Sequence, residues 1–272
     1  MLDISTMDLA TITLEQPVEG VVVATLNRPD RLNAQTFQMF DDLAALPLLL
    51  RDEDELRALI ITGAGDRAFC AGFDLDEIDR LAELGVRQFL KFQELATGAL
   101  AAIRGLPVPV IAAINGAAAG GGMALALSAD IRLASPNAKI NAAFVKIGLS
   151  VGELGTSWTL TRLVGPGRAA EIAYTGRQVH AEEAERIGLV NRVVAAESLL
   201  DEAIALAVSI TRNSPGGVRM SKRALQANQE VASYAAALEL ENRGQALLTR
   251  GSDMPEALAA FKEKRAPVFT GQ

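Results

Sequence analysis

Val110-Ile111-Ala112-Ala113-Ile114-Asn115-Gly116-Ala117-Ala118-Ala119-Gly120-Gly121-Gly122-Met123-Ala124-Leu125-Ala126-Leu127 sets a strand, a glycine cluster and a helix-forming run in direct succession. Val and Ile in an unbroken apolar run read as a buried strand, and Met-Ala-Leu-Ala-Leu reads as the opening of a helix. Three glycines at a helix start leave backbone N–H groups unpaired, uncovered by side chains and at the positive end of the helix dipole. Such a place holds an anion or a developing negative charge. The same glycines also let a helix cross another backbone closely, and the stretch alone supports both readings equally.

Working outward, further apolar runs at Ala10 to Leu14, Val21 to Leu26, Ala58 to Thr62, Val108 to Ile114 and Ile131 to Ala134 read as strands. Helical patterns lie between them at Thr36 to Leu50 and Val86 to Ile103. The second places Val86, Leu90, Ala96, Leu100 and Ile103 on three-to-four spacing. Strands alternating with helices indicate an α/β fold with a parallel or mixed sheet. From about Leu199 the pattern turns helical, over Leu200 to Thr211, Gly217 to Ala227, Val231 to Thr249 and Pro255 to Lys264, the last with Asp253 and Glu256 as a start signal. This places a core over residues 1–199 and a helical region over 200–272.

Composition removes several function classes. The chain has 272 residues, 26 Lys and Arg against 33 Asp and Glu, and a formal charge of -7. An acidic balance argues against nucleic acid or an anionic membrane as the main partner. Half of the residues are apolar, enough for a sizeable core. One cysteine, Cys70, forms no internal disulfide, and one histidine, His180, supplies no two-histidine metal site, so no metal is expected. The stretch MLDISTMDLATITLEQ lacks the basic start and long apolar centre of a secretory signal, and Pro109, Asn115 and several glycines break the most apolar segment. A cytoplasmic location is the expectation.

A second glycine loop, Gly63-Ala64-Gly65-Asp66-Arg67-Ala68, follows a strand and suggests a dinucleotide site for a nicotinamide-dependent reductase. That reading needs a helix directly after the loop. The chain instead continues Phe69-Cys70-Ala71-Gly72-Phe73-Asp74-Leu75, apolar and broken by another glycine. Two loops that each expose backbone N–H groups after a strand could instead converge on one carbonyl oxygen as an oxyanion hole.

The residues then carry a family resemblance. Asn27-Arg28-Pro29 with Leu32-Asn33-Ala34, the Phe69 to Leu75 stretch, Asn115-Gly116 with Gly120-Gly121-Gly122 and Ala129-Asp130, Ala181 to Val190, and finally Phe261-Lys262-Glu263-Lys264-Arg265 resemble the enoyl-CoA hydratase/isomerase, or crotonase, family in the right order. The resemblance implies a ClpP-like spiral of β-β-α units with a C-terminal helical trimerisation region, giving a homotrimer or a dimer of trimers. It implies an acyl-CoA thioester whose carbonyl oxygen meets the N–H groups of Phe73 and Gly121, with coenzyme A entering only as part of the substrate and no separate cofactor. It places Ala71, Asp74 and Leu75 along the adenine and pantetheine, Arg31 near the phosphates, and Lys264 with Arg265 at the nucleotide of a neighbouring subunit. Arg31 reads equally as a solvated surface arginine, and Lys264 with Arg265 as ordinary positive charge at a helix C-terminus.

The sequence also departs from that family. Hydratases of the family use two glutamates, and their positions fall here on Ala124 and Phe144, neither of which can carry a proton. One acid stands nearby, Glu153 in Gly148 to Thr156, similar to members whose third acid position carries catalysis. A carboxyl in an apolar cleft suits proton transfer. Ser150 and Glu153 also read as a capping box for a helix running to Leu163. His180 reads as a surface residue and Cys70 as core, while Trp158 and Phe144 are candidates for the acyl pocket. Two functions follow: an acyl-CoA enzyme that stabilises a thioester enolate, for isomerisation or atypical hydration of an enoyl-CoA, or an inactive acyl-CoA binding protein.

Overall fold

The computed structural model describes Ile4 and residues 7–272; Met1 to Asp3, Ser5 and Thr6, part of the N-terminal stretch read above, lie outside them. Six strands form the larger sheet: β1 (Ile12–Val18), β2 (Val21–Leu26), β3 (Ala58–Gly63), β5 (Val110–Ile114), β7 (Ile131–Ala134) and β10 (Arg192–Val193). Only β1 runs antiparallel to its neighbour; the other pairs are parallel. A smaller sheet holds β4 (Ala68–Cys70), β6 (Ala117–Ala119), β8 (Lys139–Asn141) and β9 (Val179–His180).

The chain climbs in strand-strand-helix turns. β3 and β4 lead to α2 (Ile78–Ala82) and α3 (Val86–Arg104), β5 and β6 lead to α4 (Gly121–Ser128), and β7 and β8 lead to α5 (Thr156–Val164). In each turn the first strand joins the larger sheet and the second the smaller. The remaining helices are α1 (Phe37–Leu50), α6 (Pro166–Thr175), α7 (Ala181–Arg186), α8 (Leu199–Thr211), α9 (Pro215–Asn228), α10 (Tyr234–Leu248) and α11 (Asp253–Glu263).

The apolar strand runs have a physical cause, since the larger sheet is buried on both faces. Val22, Ala24, Leu26, Leu59, Ile61, Val110, Ala112 and Ile114 face the main core with α1, α3 and α4. Val21, Val23, Ala58, Ile60, Ile111 and Ala113 face the opposite way, against Leu199, Ala203 and Ala207 of α8. Outside α8, Lys222 of α9 is buried, donates to the Val108 carbonyl at 2.8 Å and pairs with Asp130 at 2.7 Å. Asp130 also accepts from the Val110 N–H at 2.8 Å, so one carboxylate ties α9 to the start of β5.

Several expectations need correction. The apolar stripe of α3 packs only in its second half, through Ala96, Ala99, Leu100 and Ile103; Val86 is 88% exposed and Leu90 is also exposed. α5 starts at Thr156 rather than at Ser150, because Leu154 and Gly155 both adopt left-handed backbone angles that no helix continues through. Ser150 therefore caps no helix and accepts only from the Gly152 N–H. At α11, Asp253 accepts from Thr270 and Gly271 in the C-terminal tail and Glu256 pairs with Arg265, so the anticipated capping box does not form.

Candidate active site

The Gly63–Ala68 loop is built as a structural brace. The Asn115 side chain donates to the carbonyls of Gly63 at 2.9 Å, Gly65 at 2.8 Å and Ala68 at 3.1 Å, and Asn33 donates to those of Ala64 and Ala68. The loop leads into β4 and not into a helix, so the dinucleotide geometry is absent from it. Its work is to lock β4 beside β5, which aims the following residues Ala71 to Leu75 at the start of α4.

Those two segments do converge. A Cβ placed on Gly72 would stand 2.8 Å from the Ala119 carbonyl oxygen and 3.6 Å from the Gly121 nitrogen. Phe73 forms a parallel bridge with Gln35, in which the Gln35 N–H donates to the Gly72 carbonyl at 2.7 Å and the Asp74 N–H donates to the Gln35 carbonyl at 2.8 Å. In such a bridge the N–H of the middle residue points away from the partner strand. Gly121 is the first residue of α4, where the N–H has no partner within the helix. Neither the Phe73 nor the Gly121 N–H has a hydrogen-bond acceptor among the described residues. Two free donors thus lie on adjacent loops.

α4 itself is held from all sides. All eight of its residues are buried, and a Cβ on Gly122 would stand 2.0 Å from the Cys70 carbonyl oxygen, so only glycine lets α4 approach β4. Phe144 is buried against the turn that opens α4, 3.7 Å from where a Cβ on Gly120 would be, and Ala124 is buried within the helix. Both positions therefore present dry, non-ionisable walls.

Glu153 lies in the loop before α5, half-buried. Its neighbour Leu154 places Cδ1 3.5 Å from where a Cβ on Gly121 would be. From the other side, Gln93 of α3 donates to Glu153 Oε2 at 3.4 Å, while the preceding residue Phe92 packs its ring edge-on to Phe73 at 6.0 Å. Burial pushes the Glu153 carboxyl above its ordinary range, and the Gln93 hydrogen bond offsets part of that rise. Phe37, Phe40, Phe73 and Phe92 form one aromatic cluster beside it, with Phe37 and Phe92 centroids 4.6 Å apart. The arrangement offers a carboxyl suited to proton transfer next to two donors suited to an oxyanion.

The other anticipated residues fall as follows. The Asp74 carboxylate turns inward to Arg28 at 2.8 Å and accepts from the Asp76 N–H, so its charge is spent within the chain. Burial alone would raise that carboxyl, but the Arg28 hydrogen bond, the Asp76 N–H and the charges of Arg28 and Arg31 hold it below the usual range. Arg31 is exposed and ion-paired with Asp76. Leu75 is 69% exposed, while Ala71 is half-buried and donates its N–H to the Leu32 carbonyl. Lys264 is the exposed C-cap of α11, and Arg265, just beyond it, is tied to Glu256 and Glu263 of that helix. Cys70 is fully buried and its thiol is pushed up to about 12, a core residue and no nucleophile. His180 is exposed at the start of α7.

Trp158 does not face the aromatic cluster. It lies beneath the guanidinium groups of Arg162 at 3.8 Å and Arg104 at 5.0 Å, lining a separate cavity of about 1020 Å³ between the core, α9 and α10. Two residues were missing from the sequence reading, Gln35 and Gln93. A polar side chain inside an apolar helix face or beside a glycine turn carries no local signal of what it will meet.

A family model described as Enoyl-CoA hydratase/isomerase matches residues 16–272. The chain belongs to the enoyl-CoA hydratase/isomerase family. It is 41% identical to a probable enoyl-CoA hydratase of Mycobacterium tuberculosis, over 96% of this chain and 93% of that one. It is 38% identical to a short-chain-enoyl-CoA hydratase of Clostridium acetobutylicum, over 95% and 97% of the two chains. Among solved structures, a putative enoyl-CoA hydratase from Streptomyces coelicolor superposes with a TM-score of 0.93 at 38% identity, covering 98% of this chain and 96% of that one. An enoyl-CoA hydratase from Bacillus anthracis gives 0.91 at 35% identity, covering 96% and 100%. The strand-strand-helix spiral described above is therefore the crotonase fold. Among the described residues no helix is long and apolar enough to cross a membrane.

Proposed function

We propose that this chain acts on an acyl-CoA thioester, holding the thioester oxygen with the N–H groups of Phe73 and Gly121 and moving a proton with Glu153. The observation that carries the reading is the convergence of two unpartnered backbone donors beside one half-buried carboxyl whose affinity for protons is raised by burial. Taking a proton from the carbon next to a thioester puts negative charge on the carbonyl oxygen. Two fixed donors meet that charge as it forms, and each such donor is worth roughly 10²–10³ in rate.

The chemistry that suits a lone carboxyl is double-bond migration. Glu153 as carboxylate takes a proton from C2 of a 3-enoyl thioester, and the freed electron pair spreads over oxygen and C4. The now neutral Glu153, only half-buried and so able to exchange its proton with solvent, gives a proton to C4, leaving the double bond between C2 and C3. No bound water is consumed, which fits the apolar Ala124 and Phe144. Hydration is the second outcome: the oxygen of a water adds to C3 of a 2-enoyl thioester as Glu153 takes one of its protons, the resulting 3-hydroxy enolate is held by the same two donors, and Glu153 returns the proton to C2. Coenzyme A is the carrier portion of the substrate, with Ala71, Leu75, Arg31 and the turn fixed by Asp74 along its length, and Lys264 serving a neighbouring copy. Further copies would bury Tyr234, Leu247 and Phe261, exposed on α10 and α11.

The test is mass spectrometry of 2-enoyl, 3-enoyl and saturated acyl-CoA thioesters incubated in heavy water with the wild-type protein and with Glu153→Gln. Deuterium at C2 or C4 that depends on Glu153 supports isomerisation, and added water that depends on it supports hydration. Thioesters that bind and emerge unlabelled, with the double bond shown unmoved by chromatography against standards, would reduce the chain to an acyl-CoA binding protein.

A further inference from the structure

We propose that Gln35 is a positioning residue that sets the spacing and aim of both oxyanion donors, an inference that rests on the reading of Phe73 and Gly121 just given. Gln35 is fully buried, at 0% exposure, between the two loops. Its main chain grips the first. The Gln35 N–H donates at 2.7 Å to the Gly72 carbonyl, which belongs to the same peptide unit as the Phe73 N–H. That bond fixes the plane of the peptide and polarises it, making the N–H on its far side a stronger donor.

Its side chain grips the second loop. Gln35 Nε2 donates to the Gly121 carbonyl at 3.2 Å, and Oε1 fills the space a Cβ on residue 121 would occupy, at 2.0 Å from that point. Rotation of the Gly121 backbone is therefore blocked on one side by contact and held on the other by a hydrogen bond. Meanwhile Oε1 has no hydrogen-bond partner and is shut away from water. Leaving a buried acceptor unpaired is costly, and an apolar side chain of equal length would fill the same space without that cost. Packing does not call for an amide here, whereas anchoring Gly121 to the strand that anchors Phe73 does. Among the described residues no other residue joins the two loops through its main chain on one side and its side chain on the other.

Gln35→Met keeps the length and removes the donor. The experiment measures the infrared band of a saturated acyl-CoA labelled with ¹³C at the thioester carbonyl, free and bound, alongside the rate of C2 proton exchange and the thioester concentration giving half-maximal exchange. Donors at the oxygen pull the band to lower frequency on binding. With Gln35→Met the displacement should shrink and exchange should slow by about tenfold or more, while half-saturation stays within about twofold, because the lost alignment acts on the charged state and not on binding. A variant with an unchanged band displacement and exchange rate overturns the role of Gln35. A wild-type protein that binds the thioester without displacing its band overturns the oxyanion reading, and Gln35 with it. If Gln35→Met does not fold, Gln35→Asn, too short to reach Gly121, carries the same measurement.

Discussion

Gln93 on α3 meets Glu153 in the loop before α5 across 3.4 Å, so this carboxyl takes its hydrogen bond from a different turn of the spiral. The bond favours the ionised form, and burial disfavours it more strongly. A base works only when ionised, so the rate of C2 proton removal should rise with pH through a midpoint above the ordinary glutamate value. Replacing Gln93 with Leu removes the offset, and the acid limb of kcat/KM should move to still higher pH. A limb that stays in place would separate Glu153 from the proton transfer.

Gly121→Ala and Gly122→Ala, one residue apart, should fail in different ways. The new methyl at 121 meets the end of the Gln35 side chain, which can swing aside, whereas at 122 it meets the Cys70 main-chain carbonyl at 2.0 Å. Gly121→Ala should therefore fold and lose roughly 10²–10³ in rate as the donor is misaimed. Gly122→Ala should lose about 1–3 kcal/mol of stability by forcing α4 away from β4. Urea unfolding beside turnover assays checks both, and equal stability loss in the two would contradict the assignment.

Asn115→Ala should destabilise the fold without touching the proton-transfer group. Its amide serves three carbonyls of the Gly63–Ala68 loop; without it the part-buried Gly63 carbonyl loses this donor, Gly65 turns to water and Ala68 keeps Asn33. About 1–3 kcal/mol is the expected cost, seen as a lower urea midpoint at unchanged slope.

Arg28→Met should sensitise the protein to acid. The Asp74 carboxyl is held below its ordinary value in the folded chain, so its contribution is present above that ordinary value and fades as pH falls through the folded one. Without Arg28 the carboxyl keeps the cost of burial and loses its pairing, and protonation begins at higher pH. The acid midpoint of far-ultraviolet ellipticity should rise relative to the wild type. An identical midpoint would mean that the Arg28–Asp74 pair adds nothing to the fold.

What could be read in advance follows from length and burial. β2, β3 and β5 announce themselves because both faces are covered and, Thr25 and Thr62 apart, their residues are apolar or glycine, whereas β4, β6, β8 and β9, two or three residues each, are too short for any period to show. Phe73, Gly121 and Glu153 are named by the family resemblance, which rests on glycine clusters, a helix start and a solitary acid that the sequence displays locally. The start of α5 was misjudged because Leu154 takes a left-handed turn in a residue type that rarely does. Gln35 and Gln93 gain meaning only from residues far away in the chain, Gly121 and Glu153, and no reading of their own neighbourhoods could supply it.

The covered sheet also decides where change is tolerated. With both faces of β2, β3 and β5 committed to packing, no substitution there can alter what the protein recognises without first unsettling the fold. The exposed first half of α3 and the loop carrying Glu153 have no such obligation. On the proposed function, selectivity would therefore be set by these outer segments, and changes there would leave the interior as it is.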